Sequence, residues 1–197
     1  MKEDKASELT LDVIEIYSDG AASPNPGRGG FGYVIRYLVN DENCNLEENI
    51  IEGAGGYKST TNQRMEMMGA YAAIEYLCSV ITTCKASDDK EFDAFKELRI
   101  TSDSSYLCSG FTKGWVKNWK RKGWVKVDGK PVANQDMWES IDFGLTLLRT
   151  QFGISTKFIH VPGHKGWKFN EICDKLAVEA RQKEDLMIDK VYENMYH

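Results

Sequence analysis

Four acidic residues stand in four separate segments of the chain, each in a run that suits a metal ligand better than a surface charge. They are Asp19 in IYSDGAASPNPGRGGFGYVI, Glu66 in TTNQRMEMMGA, Asp103 in ITSDSSYL and Asp174 in HVPGHKGWKFNEICDKLA. Asp19 and Asp103 end apolar strand-like runs, and Glu66 falls on or beside the apolar stripe of a helical pattern. A carboxylate in such a place is costly unless a cation compensates it. Oxygen ligands drawn from several elements, without a His or Cys cluster, suit Mg²⁺ or Mn²⁺ rather than Zn²⁺. Four of them could hold two ions, and two ions about 3.5–4 Å apart clamp an in-line phosphoryl displacement. Taken singly, Asp19 could be a turn residue before Gly20, and Asp103 a helix N-cap. It is the four together that point to a divalent metal site.

The elements that must position these acids follow from hydrophobic periodicity. Residues 11–19 alternate and read as a strand, with further strands at 30–39 and about 49–57. Residues 62 to about 80 carry apolar side chains at helical spacing, with Thr61 or Asn62 as the N-cap. A polar stretch, 82–97, reads as a surface insertion with a helical turn near Phe92–Phe95. A short strand at 98–102 and a short helix at 104–109 follow. Then come a helix at 134–152, a strand at 154–161, a loop at 162–170 and a last helix at 171–183. Three antiparallel strands followed by two parallel ones give a mixed five-stranded α/β sheet flanked by helices. Ligand groups in open sheets collect at strand carboxyl ends, where Asp19 and Asp103 lie.

The formal charge of −5 argues at first against a nucleic-acid partner, but its distribution reverses that reading. Residues 113–130 hold seven Lys or Arg and one Asp, so the rest of the chain carries −11. A concentrated basic segment on an acidic body steers a polyanion to one place. Five cysteines without a C-x-x-C pair favour reduced thiols. No apolar run of the length a membrane helix needs is apparent, and the charged MKEDKASELT start lacks a leader core. A cytoplasmic, monomeric protein without membrane contact is the expectation.

The motifs SDGAASPNPGRGGFG, TTNQRME, TSDSSY, GH…NEICDKLA and GWVKNWKRKGWVKVDGKPVANQDMW resemble the type 1 ribonuclease H family. The resemblance runs from about Val13 to Ala180, in the family's order. It implies a single ribonuclease H-like domain over 11–183, with a ten-residue N-terminal extension, an insertion at 82–97, a basic protrusion at 113–131 and a tail at 184–197. It also implies an endonuclease that cuts the RNA strand of RNA–DNA hybrids with two Mg²⁺ ions, Mn²⁺ substituting, leaving 5′-phosphate and 3′-hydroxyl ends.

By the same resemblance Asp19 bridges both ions, Asp174 helps hold the ion that activates water, and Glu66 with Asp103 holds the other. His164 assists proton handling and product release. Asn25, Asn62 and Gln63 meet the minor groove, and Thr61 grips a DNA phosphate. Trp115, Trp119 and Trp124 with Lys117, Lys120 and Lys122 cradle the DNA strand, and Tyr106 and Asn134 touch the hybrid. The plain alternative for the protrusion is an amphipathic helix whose tryptophans pack inward. The insertion, the tail after Lys183 and one extra residue near Lys113–Gly114 match no part of the family pattern. A non-catalytic binding module and a DNA-cutting nuclease of the same superfamily stand as alternatives.

Overall fold

A computed structural model describes residues 8–40, 43–163 and 166–196, with side chains to residue 194. One mixed sheet forms the centre, with strands β1 (Val13–Ala22), β2 (Gly27–Asn40), β3 (Leu46–Thr60), β4 (Glu97–Ser102) and β5 (Ser155–His160) in the order β3-β2-β1-β4-β5. The first three pair antiparallel as a meander, and β4 and β5 join parallel to β1 through helical crossovers. The central strand β1 is buried along residues 13–20, as its near-continuous apolar run requires.

One face carries the main core. Ile14, Ile16, Ile35, Leu98 and Ile100 meet the helix α1 (Asn62–Ala86) through Met67, Ala70, Ala73, Ile74 and Leu77. Against it pack α2 (Ser105–Thr112), α3 (Trp115–Arg121) and α4 (Gln135–Phe152), where Trp138 is fully buried. The other face carries α5 (Lys168–Ala180), seated on a smaller cluster of Tyr17, Val34, Phe169 and Cys173. That seat depends on Gly32. A β-carbon there would lie 2.5 Å from Cys173 O and 2.6 Å from Leu176 Cβ, so only glycine lets the helix approach.

Beyond α5, the same face bears charges of alternating sign across all five strands. Arg36 Nε lies 3.0 Å from Glu48 and 3.4 Å from the buried Glu15. Arg99 lies 3.8 Å from Glu15 and 2.7 Å from Glu97, and Lys157 lies 2.5 Å from Glu97.

Several expectations need correction. Helix α1 runs six residues past Val80 because Thr82 and Thr83 return their hydroxyls to Cys78 O and Ser79 O, so polar residues continue the helix. By length and composition α1 is apolar enough to span a bilayer, contrary to the expectation that no such run exists. It instead carries its apolar stripe into the core. The 82–97 stretch is no plain surface insertion, since Phe92 and Phe95 are buried against Tyr37 at ring-centroid distances of 5.3 and 5.5 Å. The tail also folds back. Met187 donates to Gly56 O and accepts from Lys58 N on β3, and α6 (Lys190–Tyr196) follows.

Candidate active site

The parallel register of β1 and β4 matches Tyr17 to Thr101, so two residues further along Asp19 stands level with Asp103, which lies just past the end of β4. Asp19 does not end its strand as expected, because β1 runs on to Ala22 paired with β2. Asp19 is 8 % exposed and accepts from Gly20 N at 2.7 Å. Gly20 is also what brings α1 to it, because a β-carbon there would lie 2.2 Å from Glu66 N. Glu66, one turn into α1, is half-buried and held from two sides. Ser104 Oγ donates to it at 2.5 Å and Asn62 Nδ2 at 2.9 Å. Ser104 is also the N-cap of α2, accepting from Leu107 N, so the cap role open to Asp103 falls to its neighbour. Asp174 comes from the middle of α5, one residue beyond the Cys173 that packs on β2. In the β5–α5 loop, Gly163 presses on Asp103. A β-carbon there would lie 2.6 Å from Asp103 Oδ2.

The electrostatics record this convergence. Burial pushes the Asp19 carboxyl up to about 7, and the negative charges of Asp103, Asp174 and Glu66 add to that. Burial also raises Glu66, with Asp103 contributing, while the bonds from Ser104 and Asn62 oppose the rise. A set of mutually repelling carboxylates fits a hard divalent cation by its donor chemistry. Among the described residues, no three of the four bring ligand oxygens within 4.8 Å of one another. Thiolates take no part here. Burial raises Cys108 to about 11 and Cys173 well above the usual thiol range.

Beside the acids, Asn25, Pro26, Thr61, Asn62, Gln63, Ala133, Asn134 and Tyr192 line a cavity of about 530 Å³. Five of the anticipated hybrid contacts line it, and two of them, Asn25 and Asn62, bond to each other. Asn25 Oδ1 accepts from Asn62 N, Asn62 Oδ1 accepts from Ala22 N, and Thr61 caps α1 at Arg64 N. Gln63 is exposed at the rim. Arg64 is buried, and burial opposes its charge. Paired bonds to Asp136 (2.9 and 2.7 Å) and Asp189 (2.7 and 2.9 Å) outweigh that and hold it protonated. Its Nη1 also reaches Asn134 Oδ1 at 3.5 Å.

The basic protrusion divides. Lys117 and Lys122 are exposed, and Lys120 is mostly exposed but paired with Asp142 at 2.7 Å. Trp115 and Trp119 are half-buried with rings 5.9 Å apart, and Trp119 leans on Trp138. Trp124 departs from the expected role. It is 8 % exposed in the core, held at φ +61° by backbone bonds to Trp119 and Val132, so it stiffens the protrusion instead of offering a ring to substrate. Tyr106 is similarly occupied, donating to Ala133 O and accepting from Trp138 Nε1. His164 lies outside the described residues.

Sequence reasoning missed Arg64, Asp136, Asp189, Ser104 and Tyr192. Only Arg64 carried a signal, as a cation within the TTNQRME run. A separate trio, Cys84, Asp89 and Glu91, brings ligand atoms within 4.8 Å at the far end of α1. That is roughly 27 Å along the helix from Glu66 at 1.5 Å per residue.

Comparison with known proteins places these features in a family. Residues 12–182 match the family model described as RNase H. The chain is 39 % identical over 170 residues to a Ribonuclease H of Treponema denticola, covering 86 % of this chain and 98 % of that protein. It is 40 % identical over 181 residues to a Ribonuclease H of Rippkaea orientalis, covering 92 % and 93 %. Among solved structures, LC9-RNase H1 superposes with a TM-score of 0.61 at 22 % identity, covering 96 % of this chain and 82 % of that one. LC11-RNase H1 in complex with an RNA/DNA hybrid gives 0.52 at 24 % identity, covering 91 % and 99 %. These two likenesses concern the fold.

Proposed function

The chain belongs to the RNase H family, and on that footing we propose that it is an endonuclease hydrolysing the RNA strand of RNA–DNA hybrids, with Mg²⁺ as its metal. The observation that carries the reading is the convergence of Asp19, Glu66, Asp103 and Asp174 at one end of the sheet, raising Asp19 to about 7. Asp19, Glu66, Asp103 and Asp174 would hold two divalent ions, which would supply activation of a water and stabilisation of the leaving 3′ oxygen, the chemistry that leaves 5′-phosphate and 3′-hydroxyl ends.

The chain's own residues provide the geometry. Asp19 is fixed at the centre by the bond from Gly20 N. Glu66 is oriented by Ser104 and Asn62, which spare it the rotamer freedom an exposed glutamate has. Asn62 joins three parts at once, the end of β1 through Ala22 N, the β1–β2 turn through Asn25, which accepts from its own N–H, and Glu66. A shift of the turn that meets the minor groove is thus transmitted to a metal-binding carboxylate. Amides aimed at the minor groove supply donors and acceptors for the 2′-hydroxyl, the group that tells RNA from DNA. Lys117 and Lys122 supply phosphate contacts on the other strand. The five free cysteines suit a reducing compartment, and a cytoplasmic monomer acting away from membranes accords with them.

The test is incubation of the chain with labelled RNA–DNA hybrid, double-stranded RNA and double-stranded DNA, with Mg²⁺ or with EDTA. The expected result is cutting of RNA in the hybrid alone, lost in EDTA and reduced at least about a thousandfold by Asp19→Asn. Cutting of DNA, or binding of hybrid without cutting, would replace the reading with one of its two alternatives.

A further inference from the structure

The residues that follow Lys183 lie outside the motifs that carry the family resemblance, yet they reach the pocket beside the catalytic acids. Leu186 is buried over Gly56, and Met187 pairs with the outer edge of β3. Asp189, only 4 % exposed, then spends both carboxylate oxygens on the main body. Oδ2 accepts from Thr60 Oγ1 at 2.9 Å and Arg64 Nε at 2.7 Å, and Oδ1 accepts from Arg64 Nη2 at 2.9 Å. Oδ1 also accepts from Tyr192 N at 3.1 Å, which sets Tyr192 as a wall of the 530 Å³ cavity.

The chemistry of that cavity makes placement decisive. Beside Pro26 and Ala133 its lining is side-chain amides, a threonine hydroxyl and the tyrosine, and the guanidinium of Arg64 already faces two carboxylates, Asp136 and Asp189. With no lysine or arginine among the described residues of the wall, affinity for a sugar–phosphate comes from several neutral hydrogen bonds. Each contributes only when its donor is held in place beforehand. Thr61 begins α1 directly after Thr60, and Asn134 begins α4 two residues before Asp136. Arg64 with Asp189 therefore locks both ends of the pocket from behind.

Resting on the hybrid-cutting reading, we infer that the C-terminal tail is part of the substrate-binding apparatus. Tyr192 closes the amide-lined pocket around the nucleic-acid backbone, and Asp189 is the positioning residue that fixes Tyr192 and, through Arg64, Thr61 and Asn134.

Asp189→Asn and Tyr192→Ala test this in the full chain. Kd for a fluorescein-labelled hybrid is measured by anisotropy in EDTA, KM and kcat in Mg²⁺, all at a temperature well below each variant's measured Tm. The expected result is a rise of about tenfold in Kd and KM, the equivalent of one or two well-placed hydrogen bonds, with a smaller fall in kcat. Tyr192→Ala leaves the Arg64 ion pairs in place, so it reads the wall even where Asp189→Asn fails to fold. A wild-type chain that cuts hybrid, with variants whose Tm falls while Kd and KM stay unchanged, would overturn the inference and leave the tail as a structural strap. A wild-type chain that does not cut hybrid would overturn the reading beneath it.

Discussion

Asp19 shows at the scale of one side chain what burial beside other carboxylates does to an acid. Its carboxyl is moved from 3.8 to about 7 by burial first and by Asp103 second. Between those values the folded chain keeps a proton that the unfolded chain has released. The metal-free protein therefore loses stability as pH rises from about 4 to about 7, and the loss is complete above that. Asp19→Asn removes this contribution. Thermal midpoints in EDTA should coincide near pH 4 and then separate, with the variant melting higher by pH 8. Parallel curves for the two proteins across that range would contradict the assignment. Mg²⁺ displaces the same proton, so its stabilising effect on the wild type should grow over the same interval. The four acids drew notice in the sequence because each ends or borders an apolar run. Their supports were not: Ser104 and Asn62 are ordinary polar residues until the fold brings them to Glu66.

Among the elements, α5 is the one whose seating decides where an acid ends up. Gly32→Ala forces a β-carbon against Cys173 O and Leu176 Cβ, displacing the helix that carries Asp174. The expected cost is about 1–3 kcal/mol of stability, read from denaturant midpoints, with a larger effect on kcat than on KM. Unchanged kcat would separate Asp174 from the chemistry. Strand and helix types were readable from alternation and helical spacing, as was a mixed sheet of three antiparallel and two parallel strands, while the order β3-β2-β1-β4-β5 came from the structure. What escaped was decided by contacts distant in sequence or by polar residues in regular structure. Asp189 meets Arg64 across 125 positions, Phe92 and Phe95 find Tyr37 on another strand, and threonines carry α1 to Ala86. That at least one protrusion tryptophan would turn inward was expected, and the structure shows it to be Trp124, at a left-handed backbone position.

For the whole molecule, charge is divided between a basic protrusion and an acidic remainder, and the protrusion's contribution to binding should be separable from catalysis. Lys117→Ala with Lys122→Ala removes two exposed cations without touching the Lys120–Asp142 pair. KM should rise more than kcat falls. The slope of log Kd against log salt should drop by about 1–2, roughly one for each phosphate left without its lysine. An unchanged slope would mean that those lysines meet no phosphate. The sheet face beyond α5 bears on the same question from the opposite direction. Its run of Glu48, Arg36, Glu15, Arg99, Glu97 and Lys157 sums to zero, each charge flanked by its opposite. Seen from a few Debye lengths away such a row is electrically silent. The row itself therefore adds neither pull nor push to a long anionic duplex diffusing past, and the flank bearing the lysines gives that duplex its preferred heading.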